Sequence, residues 1–225
     1  MRCALFGKLP SKRDFVALGM ERPFLELWEN WLQAGVALSR DTMGATWQEA
    51  FLSAPIWRFW IGSRIAGTTT AGALMPSVDK VGRYFPLSLC ASAPAGTRIE
   101  PPPHDGIEEW LSWAEQFLLR MLDDELTADL SELVDSAPVP PVIANEVSAT
   151  PMTGGSGMTA HAGDLALFFR SLATEDHETL HGGRSYWWTA GGANHPPRLL
   201  VAQGMPGPAV FSMMLGAQQN MAQPA

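Results

Sequence analysis

Two short stretches of the chain combine side chains that could do chemistry. The first is His177-Glu178-Thr179-Leu180-His181, which fits the pattern H-E-x-x-H. On a helix, histidines four residues apart share one face and can bind zinc together, with the glutamate as general base. The pattern raises the hypothesis of a zinc-dependent hydrolase.

The residues around this pattern disfavour a zinc site. Gly182 and Gly183 follow His181 directly, which predicts a helical element of only about two turns. No Asp or Glu follows Glu178, and His195 is the one later histidine that could complete a set of three. We therefore expect no metal and no other cofactor.

The second stretch, residues 76–86, holds a hydroxyl, an acid and two bases. Such a density of polar groups could bind an anion or anchor a peptide. It could equally be a structured connection, with Ser77 or Asp79 capping a turn, Gly82 at positive φ and Asp79 paired with Arg83. The chain has no G-x-S-x-G nucleophile elbow and no phosphate-binding loop, so we expect a protein that is not an enzyme.

Composition and charge narrow the function classes further. Of 225 residues, 46% are hydrophobic and 17% are charged, which suits a folded chain with a substantial core. The net charge of −8 is uneven, since residues 1–99 carry +4 and residues 100–136 carry −10. Nucleic-acid binding through a broad basic face is not expected. The acidic stretch is either a solvated helix face or a docking surface for a basic partner.

Neither end of the chain predicts targeting to a membrane. The apolar run near the N-terminus, residues 3–6, is too short for a secretory signal. No stretch of about 18 apolar residues could span a bilayer. The two cysteines suggest no disulfide framework. We expect a cytoplasmic protein without membrane insertion.

Hydrophobic periodicity predicts two long helices, at residues 23–39 and 105–122, with Asp105 as N-cap of the second. Thr46 and Glu49 have the form of a capping box at a second, short helix. Further short helices are predicted near residues 128–135 and 208–215. Residues 137–163 read as a long surface loop, with a frayed tail at 217–225.

Runs rich in branched and aromatic residues predict the strands. They lie at residues 2–6, 56–61, 71–75, 84–91, 164–170, 185–190 and 198–202. Short connections within groups of strands favour antiparallel pairing. We expect an α+β fold over residues 1–216, a single domain with a central, mostly antiparallel sheet and helices packed on it.

Nine tryptophans are an unusual number for this length. Trp57 and Trp60 point to opposite faces of a predicted strand, and so do Trp187 and Trp188. Most of the tryptophans are expected in the core. The alternative is that one member of each opposite-facing pair is exposed and available to a partner.

The chain also resembles a known family. The matching blocks are GKLPSKRDFV at 7–16, WLQAGVALSR at 31–40, APIWRFWI at 54–61 and MPSVDKVGRYFPLSL at 75–89. They resemble the TagF family of type VI secretion-associated proteins, with one departure, Arg13 in place of the usual glycine. The resemblance implies a post-translational repressor of type VI secretion assembly, linked to a forkhead-associated scaffold protein, Fha, and no enzymatic activity.

We therefore expect a binding module that sequesters this scaffold. The candidate binding residues are Lys8, Asp14, Ser77, Asp79, Arg83 and Trp188.

Overall fold

A seven-stranded antiparallel sheet organises the described part of the protein, with its strands in the spatial order Arg198–Gln203, Arg184–Thr189, Trp57–Ile61, Thr70–Met75, Leu87–Ser92, Cys3–Gly7 and Val16–Leu18. The computed structural model describes residues 1–104, 106–123, 128–145, 150–151, 158–159, 165–192 and 195–216. The sheet strands are β1 Cys3–Gly7, β2 Val16–Leu18, β3 Trp57–Ile61, β4 Thr70–Met75, β5 Leu87–Ser92, β10 Arg184–Thr189 and β11 Arg198–Gln203.

Helices cover both faces of this sheet. They are α1 Arg22–Met43, α2 Trp47–Ser53, α3 Ser63–Ala66, α4 Glu108–Arg120, α5 Leu130–Asp135, α6 Leu165–His181 and α7 Ala209–Met214. Two small antiparallel ladders lie outside the sheet: β6 Thr97–Arg98 with β7 Ile143–Ala144, and β8 Thr150–Pro151 with β9 Met158–Thr159. None of the described helices is both long and apolar enough to span a membrane.

The sheet separates two hydrophobic cores. One core lies under α4 and α5 and includes Trp60, Trp110 and Leu111. The other lies under α1, α2 and α7 and includes Trp28 and Phe211. Because side chains alternate across a strand, each central strand contributes to both cores. The result is a three-layer α+β domain, which confirms the predicted fold class.

Trp28 of α1 lies at the centre of the second core. It is fully buried, stacks on Trp187 at 5.8 Å between ring centroids and contacts Phe59 at 4.5 Å. Its indole nitrogen donates to the Ser88 hydroxyl at 2.9 Å, so the ring's only polar atom is satisfied. This contact fixes α1 on the sheet through strands β3, β5 and β10.

Arg58 anchors α4 to the opposite face. It is the charged residue of an otherwise apolar strand, and it is buried. Its guanidinium pairs with Glu108 and with Glu115 at 2.6 Å, and contacts the Ser112 hydroxyl at 3.2 Å. These three residues recur on one face of α4 because helical positions i, i+4 and i+7 align. Part of the acidic stretch therefore has an internal role.

Most predicted elements are confirmed, within a few residues at their ends. The predicted strand at 164–170 is wrong over its described part, because residues 165–170 lie in helix α6. A short apolar run fits a buried strand and a helix equally well. The short strand β2 was not predicted.

The predictions on the capping box, the paired tryptophans and the chain segments without regular structure have separate outcomes. The capping box is wrong, since the Thr46 hydroxyl donates to the Met43 carbonyl and the Thr46 side chain caps no helix. Trp57 and Trp60 are both buried, because helices cover both faces of the sheet, whereas Trp188 is half-buried. Asp105, the tail at 217–225 and much of the 137–163 loop lie outside the described residues.

We expect Trp31→Ala to lower the free energy of unfolding by about 3–5 kcal/mol, as truncation of a buried tryptophan typically does. Trp31 is buried, contacts Trp187 at 4.6 Å and donates to the Pro206 carbonyl at 2.8 Å. Chemical denaturation measures the change. The control is Leu38→Ala on the same helix, whose exposed side chain should cost less than about 1 kcal/mol. Equal stability of the two variants would contradict this assignment of the core.

Candidate functional site

A buried carboxylate, that of Asp79, organises the connection between β4 and β5. Its side chain has no exposed surface. One oxygen, Oδ2, accepts from Lys8 Nζ at 2.7 Å and from Arg83 Nε at 2.6 Å. The other, Oδ1, accepts from the backbone N–H of Val81 at 3.0 Å and of Arg83 at 2.9 Å. We call Asp79, Lys8 and Arg83 the Asp79 clamp.

The local sequence explains why the chain folds back around Asp79. Gly82 has φ +85°, a conformation that favours glycine, and its N–H donates to the Asp79 carbonyl at 2.9 Å. Val78 and Tyr84 form a β-bridge across this turn. The alternative of a structured connection, with Gly82 at positive φ and Asp79 paired with Arg83, is therefore confirmed.

Lys8 reaches the clamp from the end of β1. The preceding residue must be glycine, because a Cβ at Gly7 would lie 2.0 Å from the Pro86 carbonyl oxygen. The Lys8 side chain is only 7% exposed, and Nζ lies 4.9 Å from the centroid of the Phe15 ring. A carboxylate and an aromatic face together stabilise the buried ammonium group.

Arg83 forms the outer rim of the clamp. Its side chain is 56% exposed, and the guanidinium donates to the Arg13 carbonyl. The nearest carboxylate on the solvent side is that of Asp14, which is 96% exposed and lies 3.9 Å from Arg83. Among described non-glycine residues none has positive φ, so Arg13 fits its position without the family's glycine.

The protein environment favours the charged form of Asp79. Burial by itself raises the pKa of a carboxyl group, but the hydrogen bonds from Lys8, Arg83 and Val81 outweigh it and hold the pKa of Asp79 well below its usual range. The carboxylate is therefore ionised at neutral pH. It has no spare proton to transfer, so its chemistry is that of an anchor.

The structure brings four of the six candidate binding residues together, namely Lys8, Asp14, Asp79 and Arg83. Ser77 belongs to the same hairpin, but it is buried and its hydroxyl has no hydrogen-bond partner among the described residues. Trp188 lines a separate cavity of about 520 Å³, together with Glu108 and Leu199.

Both histidines of the H-E-x-x-H pattern lie on the buried side of α6. Their rings stand edge-on to Trp60, with centroids 6.0 Å (His177) and 6.4 Å (His181) away. His181 Nδ1 and the Tyr186 hydroxyl are 2.8 Å apart. Burial, and then the neighbouring charge of Arg98, lowers the pKa of His177 to about 4, so that its ring is neutral at pH 7.

The glutamate of the pattern, Glu178, is held by contacts within the protein. Glu178 accepts from the Ser63 hydroxyl at 2.6 Å and pairs with Arg64 at 3.2 Å. Within the described ranges, no group of three or more His, Cys, Asp or Glu side chains is placed to hold a metal ion. His195 packs against Gly216, where an added Cβ would lie 2.6 Å from its ring. The prediction of a two-turn element is wrong, because α6 has 17 residues.

A groove of about 840 Å³ opens beside the Asp79 clamp. Its walls are the clamp residues Lys8 and Arg83, the C-terminal half of α1, the turn before α2 and the Phe15 side chain. Sequence reasoning missed Arg40 and Tyr84 as part of this site. The sequence held a signal for both residues, because Arg40 lies in the family block 31–40 and Tyr84 in the block 75–89.

Comparison with known proteins identifies the family of the chain. Residues 4–135 match the family model of the TagF N-terminal domain, described as type VI secretion system-associated. The crystal structure of PA0076 from Pseudomonas aeruginosa PAO1 is similar, with a TM-score of 0.74 and 30% sequence identity. The similarity covers 99% of this chain and 98% of that one. No curated protein sequence matches the chain significantly.

We expect Asp79→Asn to lower the free energy of unfolding by about 3–5 kcal/mol, because it leaves the buried Lys8 ammonium group without a carboxylate. Denaturant unfolding measures the loss. Asp14→Asn is the matched control, since an exposed aspartate should change stability by no more than about 0.5 kcal/mol. The double variant Lys8→Met/Asp79→Asn should recover part of the loss. A single variant as stable as the wild type would contradict the clamp.

The depressed pKa of Asp79 also predicts how stability depends on pH. A carboxyl group with a lowered pKa in the folded state stabilises the fold above its unfolded pKa, about 3.9, and loses this effect as pH falls towards the folded value. The difference in unfolding free energy between wild type and Asp79→Asn should be constant from pH 5 to 7, where the carboxyl group is ionised in both the folded and the unfolded chain, and shrink below about pH 4. A difference that does not change down to the acid transition would argue against an ionised Asp79.

Proposed function

Because the chain belongs to the TagF family of type VI secretion-associated proteins, we propose that it represses assembly of the secretion apparatus by sequestering a forkhead-associated scaffold protein in the cytoplasm. The observation that carries this proposal is the family match over residues 4–135. The resemblance of the sequence blocks to the family implies both the repression and the scaffold partner.

The geometry of the candidate site favours binding over turnover. The Asp79 carboxylate is saturated by four donors, and Lys8 is buried against it. Neither group is available as a nucleophile or a general base. The exposed parts of the site, Arg83 and Asp14, can contact a partner protein without any rearrangement of the clamp.

The charge layout suggests which region meets the partner. In the acidic stretch 100–136, Glu108 and Glu115 pair with Arg58, and Glu100 pairs with Arg98 at 2.8 Å. These carboxylates hold the domain together, which weakens the case for a docking surface there. The N-terminal region, net +4, places its clamp and groove at the surface and is the better candidate.

Sequestration predicts stoichiometric behaviour. When this protein is titrated into a fixed amount of purified scaffold, at concentrations above the dissociation constant, occupancy of the scaffold and inhibition of assembly should both saturate near an equimolar ratio. A sequestering protein must occupy each scaffold molecule, whereas an enzyme acts repeatedly. Complete inhibition at a protein-to-scaffold ratio far below one, with inhibition that increases with incubation time, would contradict sequestration.

The same titration with Arg83→Ala tests whether Arg83 contacts the scaffold. Its stability should fall by no more than about 1 kcal/mol, because the side chain is half-exposed and Asp79 keeps Lys8 and the backbone donors. Scaffold binding should weaken while the melting temperature holds. Arg120→Ala, an exposed arginine at the end of α4, is the control and should bind as the wild type does. Unchanged repression by Arg83→Ala would show that Arg83 is not part of the binding surface.

A further inference from the structure

The groove beside the Asp79 clamp has an unusual lining. Of its fourteen lining residues, all described, three are cations and none is a carboxylate. Four are aromatic: Phe15, Trp47, Tyr84 and Phe85. Since the whole chain carries a net charge of −8, a groove with only positive charges is a local exception.

Arg40 is the cation in this groove that is free to bind an anion. Lys8 and Arg83 both pair with Asp79, whereas Arg40 has no carboxylate within salt-bridge distance among the described residues. Its guanidinium lies 4.2 Å from the centroid of the Trp47 ring and contacts the Tyr84 carbonyl at 3.4 Å. Stacking on an indole holds the planar donor group in place without neutralising it.

Aromatic side chains provide an apolar shelf next to this cation. Phe15 is 47% exposed, an unusual degree for a large apolar side chain, and its ring packs at 4.8 Å on Phe85. The Phe15 ring is held from behind by the Lys8 ammonium group. A half-exposed ring and a preoriented guanidinium that line the same groove suit a ligand that carries both an apolar and an acidic residue.

We infer that this groove binds an acidic segment of the partner protein, with a carboxylate on Arg40 and an adjacent apolar side chain on Phe15. The inference deepens the proposed function and rests on it, since it assigns a chemistry to the partner. Charge complementarity carries it, because a cation preoriented in a groove without acids attracts carboxylates and disfavours basic segments.

A second copy of this chain is the competing occupant, because residues 100–136 are strongly acidic. Two of their carboxylates, Glu108 and Glu115, already pair with Arg58 within the domain, and Glu100 pairs with Arg98. Release of these carboxylates to another molecule would leave Arg58 buried without partners, which is costly. These internal pairs favour a different protein as the occupant of the groove.

The test uses the full chain and a fluorescent synthetic peptide in which glutamates alternate with serines around one central phenylalanine. Fluorescence anisotropy measures its affinity. Two control peptides replace every glutamate with glutamine or with lysine. The glutamate peptide should bind most tightly, and its affinity should fall as salt rises, because exposed charges are screened over about 8 Å at physiological ionic strength.

Variants locate the binding in the groove. Arg40→Ala should weaken the glutamate peptide about tenfold, as expected for loss of one charge-assisted contact, and Arg40→Lys should restore part of the affinity. Arg22→Ala is the matched control, an exposed arginine at the other end of α1. Equal losses in Arg40→Ala and Arg22→Ala, or equal affinity for glutamate and glutamine peptides, would overturn the inference. Thermal melts confirm that each variant is folded.

The same variants separate this inference from the proposed function. If the purified scaffold binds wild type and Arg40→Ala alike, and the glutamate peptide does not bind, the acidic-segment site in the groove is contradicted. The proposed sequestration of the scaffold is then unaffected. If peptide binding depends on Arg40 but the scaffold does not bind, the acidic-segment site in the groove is supported. The proposed sequestration of the scaffold is then contradicted. A concentration-dependent dimer in sedimentation that Arg40→Glu abolishes would place a second copy there and overturn the assignment.

Discussion

The ionised carboxylate of Asp79 constrains the whole region that we assign to binding. A buried charge is tolerated only with partners, and Asp79 recruits a buried lysine, an arginine and two backbone N–H groups. These contacts bring residues 8–15 onto the β4–β5 hairpin. Phe15 and Arg83 thereby reach the surface in fixed positions, and one wall of the groove is formed. Asp79 acts by positioning other groups.

The second constraint is that helices cover both faces of the sheet. Every inward-facing position on a central strand then needs an apolar residue or a compensated polar one. Arg58 is compensated by carboxylates on α4, and the Trp28 indole by the Ser88 hydroxyl. Large aromatic rings fill the remaining space, which explains why so many tryptophans are buried. The surface that we propose for binding combines the β4–β5 hairpin with the C-terminal half of α1.

The H-E-x-x-H pattern illustrates how one spacing serves different ends. Histidines four residues apart share a helix face whether that face binds zinc or packs on a core. Here the face packs on Trp60, and the intervening glutamate bonds to Ser63 and Arg64. The lowered pKa of His177 keeps its buried ring uncharged against the indole of Trp60. The pattern determines the geometry of the helix, and the neighbours determine the chemistry.

Much of this protein followed from its sequence alone. The periodicity of α1 and α4, the branched strands and the turn at Gly82 are local properties, so the α+β class and the Asp79–Arg83 pair were predictable. The family blocks already contained Lys8, Arg40 and Tyr84, although nothing local distinguished their roles.

Only the tertiary structure decided which of these residues meet. The pairing of Lys8 with Asp79 spans 71 positions, and that of Arg58 with Glu115 spans 57. No local pattern encodes a contact at such separation. The helical state of residues 165–170 and the burial of both Trp57 and Trp60 depended likewise on what packs against them. Strand order and layer packing set these contacts, because they determine which distant side chains share a buried space.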